Sequence, residues 1–152
     1  MENVKWPQGF EPENCRIFSH NQIWTPLSAQ ALWAKLIRAQ NWPGWYPNSR
    51  DVNILDGSLE LKKGSVFTWK TFGLKVRSQV LTFEPFEHLG WDAQEMLGWH
   101  GFHGWRFIPH NSGTLIITQE IQKGGGDFLV APLVKKTLEK GHQMWLENLV
   151  RE

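Results

Sequence analysis

The sequence predicts an α+β domain in which an antiparallel sheet of about seven strands wraps around one long C-terminal helix. The first observation is a single long helical pattern from Asp127 to Val150, with apolar residues that recur at the helical period. The second is the segment 51–122, where short alternating runs are joined by turns that contain glycine or proline. Because nearly all of the chain before the helix resembles strands, these strands should cover it.

The N-terminal segment, residues 1–15, is predicted to be an extended arm in front of a single domain at 16–152. The arm is polar and contains two prolines, so its order would depend on the packing of Trp6 and Phe10. The domain begins with a predicted strand at 16–24, in which apolar and polar residues alternate.

Two short helices are predicted after this strand. Ser28 is the expected N-cap of a helix at 29–39, although Thr25 before Pro26 would also serve for an earlier start. The next segment, 41–47, reads NWPGWYP, and its two prolines and one glycine restrict it to a turn or a single helical turn. It places three aromatic residues on a loop.

The remaining strands are predicted as a meander of consecutive antiparallel segments. A stretch at 59–62 would either extend the first of them or form a turn, and the glycines at 124–126 form a flexible joint to the last helix. The predicted segments are 52–56, 65–71, 75–83, 88–96, 97–101, 102–108 and 114–122.

Composition excludes several classes of protein. The net charge is +1, from 16 basic and 15 acidic residues without a basic run, so we expect neither nucleic acid nor an anionic membrane as a partner. The single cysteine excludes an internal disulfide and is typical of a reducing compartment, which predicts a cytoplasmic protein. No apolar run reaches the roughly 18 residues of a membrane span, and no signal-peptide core precedes the domain.

Ten tryptophans are the most unusual feature of the composition. Tryptophan is seldom fully buried and is common at cavities and interfaces, so some of the ten should line a cavity. The histidine-rich repeat at 98–105 is weaker evidence. Strand alternation would place His100 and His103 on opposite faces, and no third ligand follows from the spacing, so we predict neither a metal site nor a cofactor.

Three motifs, in this order, resemble those of the START-like (helix-grip, Bet v 1-like) superfamily, in its polyketide cyclase/dehydrase-type branch. They are Ile23-Trp24-Thr25-Pro26 leading to Leu32-Trp33, the turn at 41–47, and His103-Gly104-Trp105-Arg106-Phe107 followed by Gly113-Thr114 and Glu120. The resemblance covers the chain from about residue 16 and implies a sheet curved around the last helix. It also implies a cavity between the two for a lipid, a polyketide or another apolar molecule.

Strand alternation, and for β-strand 114–122 the family pattern, select the residues expected to face this cavity. The predicted ligand-binding residues are Trp45, Tyr46, Trp69, Ser78, Val80, Trp91, Trp105, Phe107, Thr118, Gly141 and Trp145, and the candidate catalytic residues are His103, Glu120 and His142. On the last helix, Gly141 is expected to leave space for the ligand, His142 to contact it and Trp145 to close the far end.

The polar residues allow two interpretations each. Glu120 is either a general acid or base with a raised pKa, or a structural anchor. His103 and His142 either form a proton-transfer pair or satisfy local hydrogen bonds. Trp45 and Tyr46 either gate the entrance or pack under the helix.

Three functions therefore stay open. The favoured one is binding of a small hydrophobic molecule that is aromatic, polyketide-like or a lipid. The first alternative is an aromatase/cyclase-like enzyme of aldol condensation and dehydration, and the second is a protein-interaction domain of the co-chaperone-activator kind, which a large exposed apolar patch would favour. A homodimer through an edge strand or the N-terminal arm is also left open.

Overall fold

A seven-stranded antiparallel sheet curves around one long helix in the computed structural model, which describes residues 2–95 and 98–152. The strands are β1 (Ile17–Thr25), β2 (Ser49–Ile54), β3 (Val66–Thr71), β4 (Leu74–Glu84), β5 (His88–Glu95), β6 (His100–His110) and β7 (Gly113–Lys123). The helices are α1 (Ala29–Leu36) and α2 (Asp127–Leu149), with 3₁₀ helices at Pro12–Asn14 and Ala39–Gly44. The predicted fold class is confirmed.

The strand order in the sheet is β1-β7-β6-β5-β4-β3-β2, so the chain runs as a meander from β2 to β7 and β1 pairs with the last strand. The register places Glu120 of β7 opposite both Ser19 of β1 and His103 of β6. Residues directly opposite one another on neighbouring strands have side chains on the same face. Three polar side chains of three adjacent strands are therefore neighbours on one face of the sheet.

Several predicted boundaries differ from the structure. The helix expected at 29–39 ends at Leu36. A separate 3₁₀ helix, Ala39–Gly44, follows it and contains Trp42. The separate strand expected at 97–101 does not form, because His100 already begins β6; Met96 and Leu97 lie outside the described residues. The stretch at 59–62 is not a strand, although its Leu61 is buried and donates its backbone N–H to Ile37 O over 2.8 Å.

Trp42 occupies the centre of the main core, between the sheet and α2. Its ring is fully buried and its Nε1 donates to Leu36 O over 2.9 Å, so its polar atom is satisfied inside the core. The ring packs edge-on against Trp145 of α2 at a centroid distance of 5.0 Å and against Trp69 of β3 at 5.3 Å. This contact joins the loop, the helix and the sheet.

The C-terminal end of α2 is capped by a lysine of α1. Lys35 Nζ donates to the carbonyl oxygens of Asn148, Leu149 and Arg151 at 2.9, 3.1 and 2.9 Å. A cation at this end is favourable because the last carbonyls of a helix lack intrahelical partners. The contact fixes the C-terminal end of α2 against α1. The buried side chains of α2 also lie mostly in this C-terminal half.

The N-terminal arm covers the face of β6 and β7 opposite α2. Phe10 is 8% exposed and packs against Phe102 at a centroid distance of 5.5 Å, while Val4 N donates to Gln119 Oε1 over 3.0 Å. Gly104 leaves room for this arm, because a Cβ atom there would lie 2.7 Å from the Val4 side chain. The arm thus forms a second small core within its own chain.

We expect Phe10→Ala to lower the free energy of unfolding by about 2 kcal/mol, because it removes a ring from this second core. Chemical denaturation measures the change. The control is Phe128→Ala, since Phe128 is 63% exposed and its truncation should change stability by less than about 0.5 kcal/mol. Equal effects of the two substitutions would contradict the assigned packing of the arm.

Candidate functional site

A cavity of about 410 Å³ lies between the sheet and the first two thirds of α2. Its volume falls in the range of pockets that hold small organic ligands. Its surface is mainly apolar, with a few polar side chains. The lining residues are Trp69, Thr71, Phe72, Leu74, Val76, Trp91, Ala93, Glu95, Trp99, His103, Glu120, Gln122, Val130, Leu133, Val134, Thr137, Leu138, His142 and Trp145.

The inner end of the cavity is formed by three tryptophans from three elements, Trp69 of β3, Trp91 of β5 and Trp145 of α2. Trp145 is 1% exposed and stacks on Tyr46 with a centroid distance of 4.3 Å and an interplanar angle of 13°. Trp69 Nε1 donates to Ser78 Oγ over 3.1 Å. The position of these rings is therefore fixed by contacts behind the cavity wall.

A buried polar cluster, which we define as His103, Glu120 and His142, lies on the cavity wall. The three residues are 3%, 6% and 1% exposed. Glu120 Oε2 lies 2.9 Å from His142 Nε2 and 3.5 Å from His103 Nδ1, and the two imidazole rings stack at 4.4 Å. The register of β6 and β7 and the helical position of His142 thus bring together residues that are far apart in the sequence.

The outer nitrogens of the two imidazoles contact hydroxyl groups. His103 Nε2 lies 2.6 Å from Thr118 Oγ1, and that hydroxyl donates to Gly104 O over 3.1 Å. His142 Nδ1 lies 3.3 Å from Ser19 Oγ. These contacts orient both rings, which leaves His103 Nδ1 and His142 Nε2 directed at the same carboxylate.

Burial controls the charge of the acidic and basic groups around the cavity. It lowers the pKa of His103 well below its usual value, and the neighbouring His142 adds to this effect. Glu95, near the β5 end of the cavity, has a pKa raised to about 7, first by burial and then by the negative charge of Glu120. His103 is therefore neutral at pH 7. The Glu95 carboxyl, with a pKa of about 7, is protonated in a large fraction of the molecules at this pH.

Gly141 does not leave space for a ligand, so that expectation is wrong. A Cβ atom at Gly141 would lie 2.6 Å from Cζ of Phe72, because the phenyl ring occupies the space above the glycine. Phe72 sits at the β3–β4 turn with a φ of 50°, in the left-handed region that bulky residues rarely adopt. The glycine therefore accommodates a side chain of the turn, and that side chain itself lines the cavity.

Trp45 and Tyr46 do not line the cavity either. Tyr46 is fully buried under α2, where its hydroxyl accepts a hydrogen bond from Asn48 Nδ2 over 2.9 Å. Trp45 packs beside Lys35, whose Nζ lies 4.8 Å from the ring centroid. Both residues therefore pack against the helices, and neither gates the entrance of the cavity.

Five other predicted residues face α2 as alternation indicated, but they lie behind the cavity wall. They are buried and absent from its lining: Ser78, Val80, Trp105, Phe107 and Thr118. Trp105 illustrates the reason, since its ring lies against His103 at a centroid distance of 5.2 Å, and His103 forms the surface instead. Alternation selects a face of a sheet, but it does not show which residues on that face touch the ligand.

Sequence reasoning missed the outer part of the cavity. This part is formed by the β3–β4 turn and the first half of α2, with lining residues such as Phe72, Leu74, Val130 and Leu133. Three apolar side chains of α2 are largely exposed there, with Phe128 at 63%, Leu129 at 74% and Leu133 at 68%. The available signal was the excess of apolar residues in this half of the helix, more than one buried stripe requires.

The structure has the START-like fold, with an internal cavity between the sheet and α2. The chain belongs to the family described as polyketide cyclase / dehydrase and lipid transport, whose model matches residues 21–152. None of the curated proteins compared matches the chain. Among the described residues, no helix is long and apolar enough to cross a membrane.

Three solved structures illustrate the similarity. A hypothetical protein from Helicobacter pylori is 26% identical with a TM-score of 0.90, and the match covers 99% of this chain and 95% of that chain. The Zhui aromatase/cyclase from Streptomyces sp. R1128 is 15% identical with a TM-score of 0.70, covering 88% and 90%. A START superfamily protein from Mycobacterium smegmatis is 15% identical with a TM-score of 0.69, covering 88% and 94%.

We expect Gly141→Ala and Phe72→Ala to be coupled in stability. With Phe72 truncated, Gly141→Ala should stabilise the chain by about 1 kcal/mol, because alanine is the better helix former. With Phe72 present, displacement of the ring should cost about 1–3 kcal/mol and offset that gain. Chemical denaturation of the four chains of this double-mutant cycle measures the coupling. An equal effect of Gly141→Ala in both backgrounds would show that Phe72 does not occupy this position.

Proposed function

We propose that this protein binds a small hydrophobic molecule, aromatic or polyketide-like or a lipid, in the cavity between the sheet and α2. The observation that carries the proposal is the cavity itself, with its volume of about 410 Å³ and its inner wall of Trp69, Trp91 and Trp145. Flat, rigid and apolar walls favour a ligand with flat apolar surfaces. Membership of the family supports the same conclusion.

The exposed apolar side chains of α2 are assigned to the entrance. Val130 and Leu133 line the cavity and are 38% and 68% exposed, so the apolar lining continues onto the surface at this point. The interaction-domain alternative would use these residues too, but continuity with the cavity favours ligand entry as their role.

Two naphthalene ligands test the proposal. Quenching of tryptophan fluorescence should show that 2-ethylnaphthalene and 2-acetylnaphthalene both bind, because the aromatic wall of the cavity packs against the naphthalene ring that they share. Val134→Trp, which places a bulky ring in the cavity, should reduce the affinity for both by at least about tenfold.

The control for Val134→Trp is Lys136→Trp, which adds the same chromophore to an exposed position of the same helix outside the cavity lining. It should leave both affinities unchanged. If the two variants bind equally well, the ligands do not occupy the cavity and the proposal fails.

Catalysis of an intramolecular aldol condensation is a second candidate. It is favoured by the polar cluster of His103, Glu120 and His142 on the wall of an otherwise apolar cavity, and by the family of the chain. In such a reaction a carbon next to one carbonyl loses a proton and forms a bond to the carbon of a second carbonyl, and water leaves. The cluster would contact the carbonyl oxygen.

Heptane-2,6-dione is a suitable substrate for the test, because its condensation gives 3-methylcyclohex-2-enone and water. We expect enone absorbance to develop faster with the native chain than with Val134→Trp, in which the cavity is filled. If the native chain and Val134→Trp give equal rates while the native chain still binds naphthyl ligands, the protein binds ligands but does not catalyse this reaction.

A further inference from the structure

The buried polar cluster of His103, Glu120 and His142 brings three metal-type donor groups together inside the fold. Thr118 Oγ1 lies 2.6 Å from His103 Nε2 and 3.1 Å from Gly104 O, so the outer nitrogen of His103 already has a partner. The other ring nitrogen, His103 Nδ1, lies 3.5 Å from Oε2 of Glu120.

The cluster is built into the interior of the fold and not on its surface. The His103 ring is 3% exposed and packs between the rings of Trp105 and His142. The Glu120 carboxylate is held from two sides, by His142 Nε2 at 2.9 Å and by Gln122 Nε2. Packing and hydrogen bonds therefore fix the positions of the three side chains.

The donor atoms of the cluster are spaced for a metal ion. They all lie within 4.8 Å of one another, and the two separations that involve Glu120 are 3.5 and 2.9 Å. Zinc bound tetrahedrally at about 2.0–2.1 Å holds its ligand atoms about 3.3 Å apart. The two imidazoles stack with an interplanar angle of 28°, so binding would turn them until both lone pairs point at the ion.

We propose that His103 Nδ1, His142 Nε2 and the Glu120 carboxylate bind one divalent transition-metal ion, of which zinc fits the donor set best. Two neutral imidazoles and one carboxylate are a common zinc set, and they leave one coordination position free. The outer nitrogen of each imidazole contacts a hydroxyl group, that of Thr118 or of Ser19. Metal-binding histidines usually have such a second hydrogen bond, which fixes the orientation of the ring.

The free position of the ion would face the cavity, because all three ligands belong to its lining. A bound ion would therefore present a Lewis acid to a ligand oxygen at one wall of the apolar pocket. The inference does not depend on the proposed binding of hydrophobic molecules, since the cluster is complete without them. It adds a metal ion to a site that the sequence alone assigned to side chains only.

Metal binding to the untagged, chelator-treated full chain tests the inference. Titration with Co²⁺ should give visible absorption bands that saturate at one ion per chain, and Zn²⁺ should abolish these bands by competition. Zn²⁺ should also raise the melting temperature by several degrees, because an ion that binds only the folded state stabilises it. No naphthyl ligand is present, so the outcome is separate from the test of hydrophobic binding.

Two variants locate the ion. Thr118→Val keeps the side-chain shape, removes only the hydroxyl that holds His103 and should weaken Zn²⁺ binding about 10- to 100-fold. His110→Gln, at an exposed histidine of the β6–β7 turn, should leave the affinity unchanged. His142→Gln should abolish binding; if this variant does not fold, Thr118→Val decides.

The native chain gives the decisive negative result. Absence of both the Co²⁺ bands and the Zn²⁺-dependent rise in melting temperature would overturn the proposal. An affinity that falls with His110→Gln but not with Thr118→Val would overturn it as well, because the ion would then bind at the surface.

Discussion

The packing of Trp145 against the sheet and the 3₁₀ segment is the contact on which the rest of the structure depends. Its ring stacks on Tyr46 at 4.3 Å and meets Trp42 edge-on at 5.0 Å. Buried aromatic contacts of this kind add to the large hydrophobic contribution of each ring. They fix the C-terminal half of α2 on the sheet, and the position of this half determines where His142 lies.

The cavity exists because only one half of α2 is packed in this way. Beyond Leu138 the buried side chains of the helix meet the core, whereas Leu129 and Leu133 in the first half are largely exposed. The cavity lies beneath this first half, where Val130, Leu133 and Val134 contribute to its lining. Phe72 narrows this space from the β3–β4 turn, where it packs over Gly141. A helix packed along its whole length would leave no site.

The polar cluster carries an unfavourable desolvation free energy, since a carboxylate and two imidazoles are withdrawn from water. The register of β1, β7 and β6 makes it tolerable, because it places Ser19 and His103 beside Glu120 on one face. A structural role alone would be met by Glu120 and His142, which are 2.9 Å apart. His103 adds a third metal-type donor group to this pair, 3.5 Å from the carboxylate, and this arrangement supports the proposed cation.

The sequence by itself determined the α+β class and the meander, because periods of two and 3.6 are local properties of the chain. Alternation also separated the two faces of each strand, although for strand 114–122 only the family pattern chose the inner face. It also selected His103, Glu120 and His142, through alternation and family motifs. It misplaced Gly141, Trp45 and Tyr46, whose surroundings come from distant segments. Only the tertiary structure decided which buried residues reach the cavity and that three separate polar side chains meet there, since such distances depend on strand register and on how α2 docks.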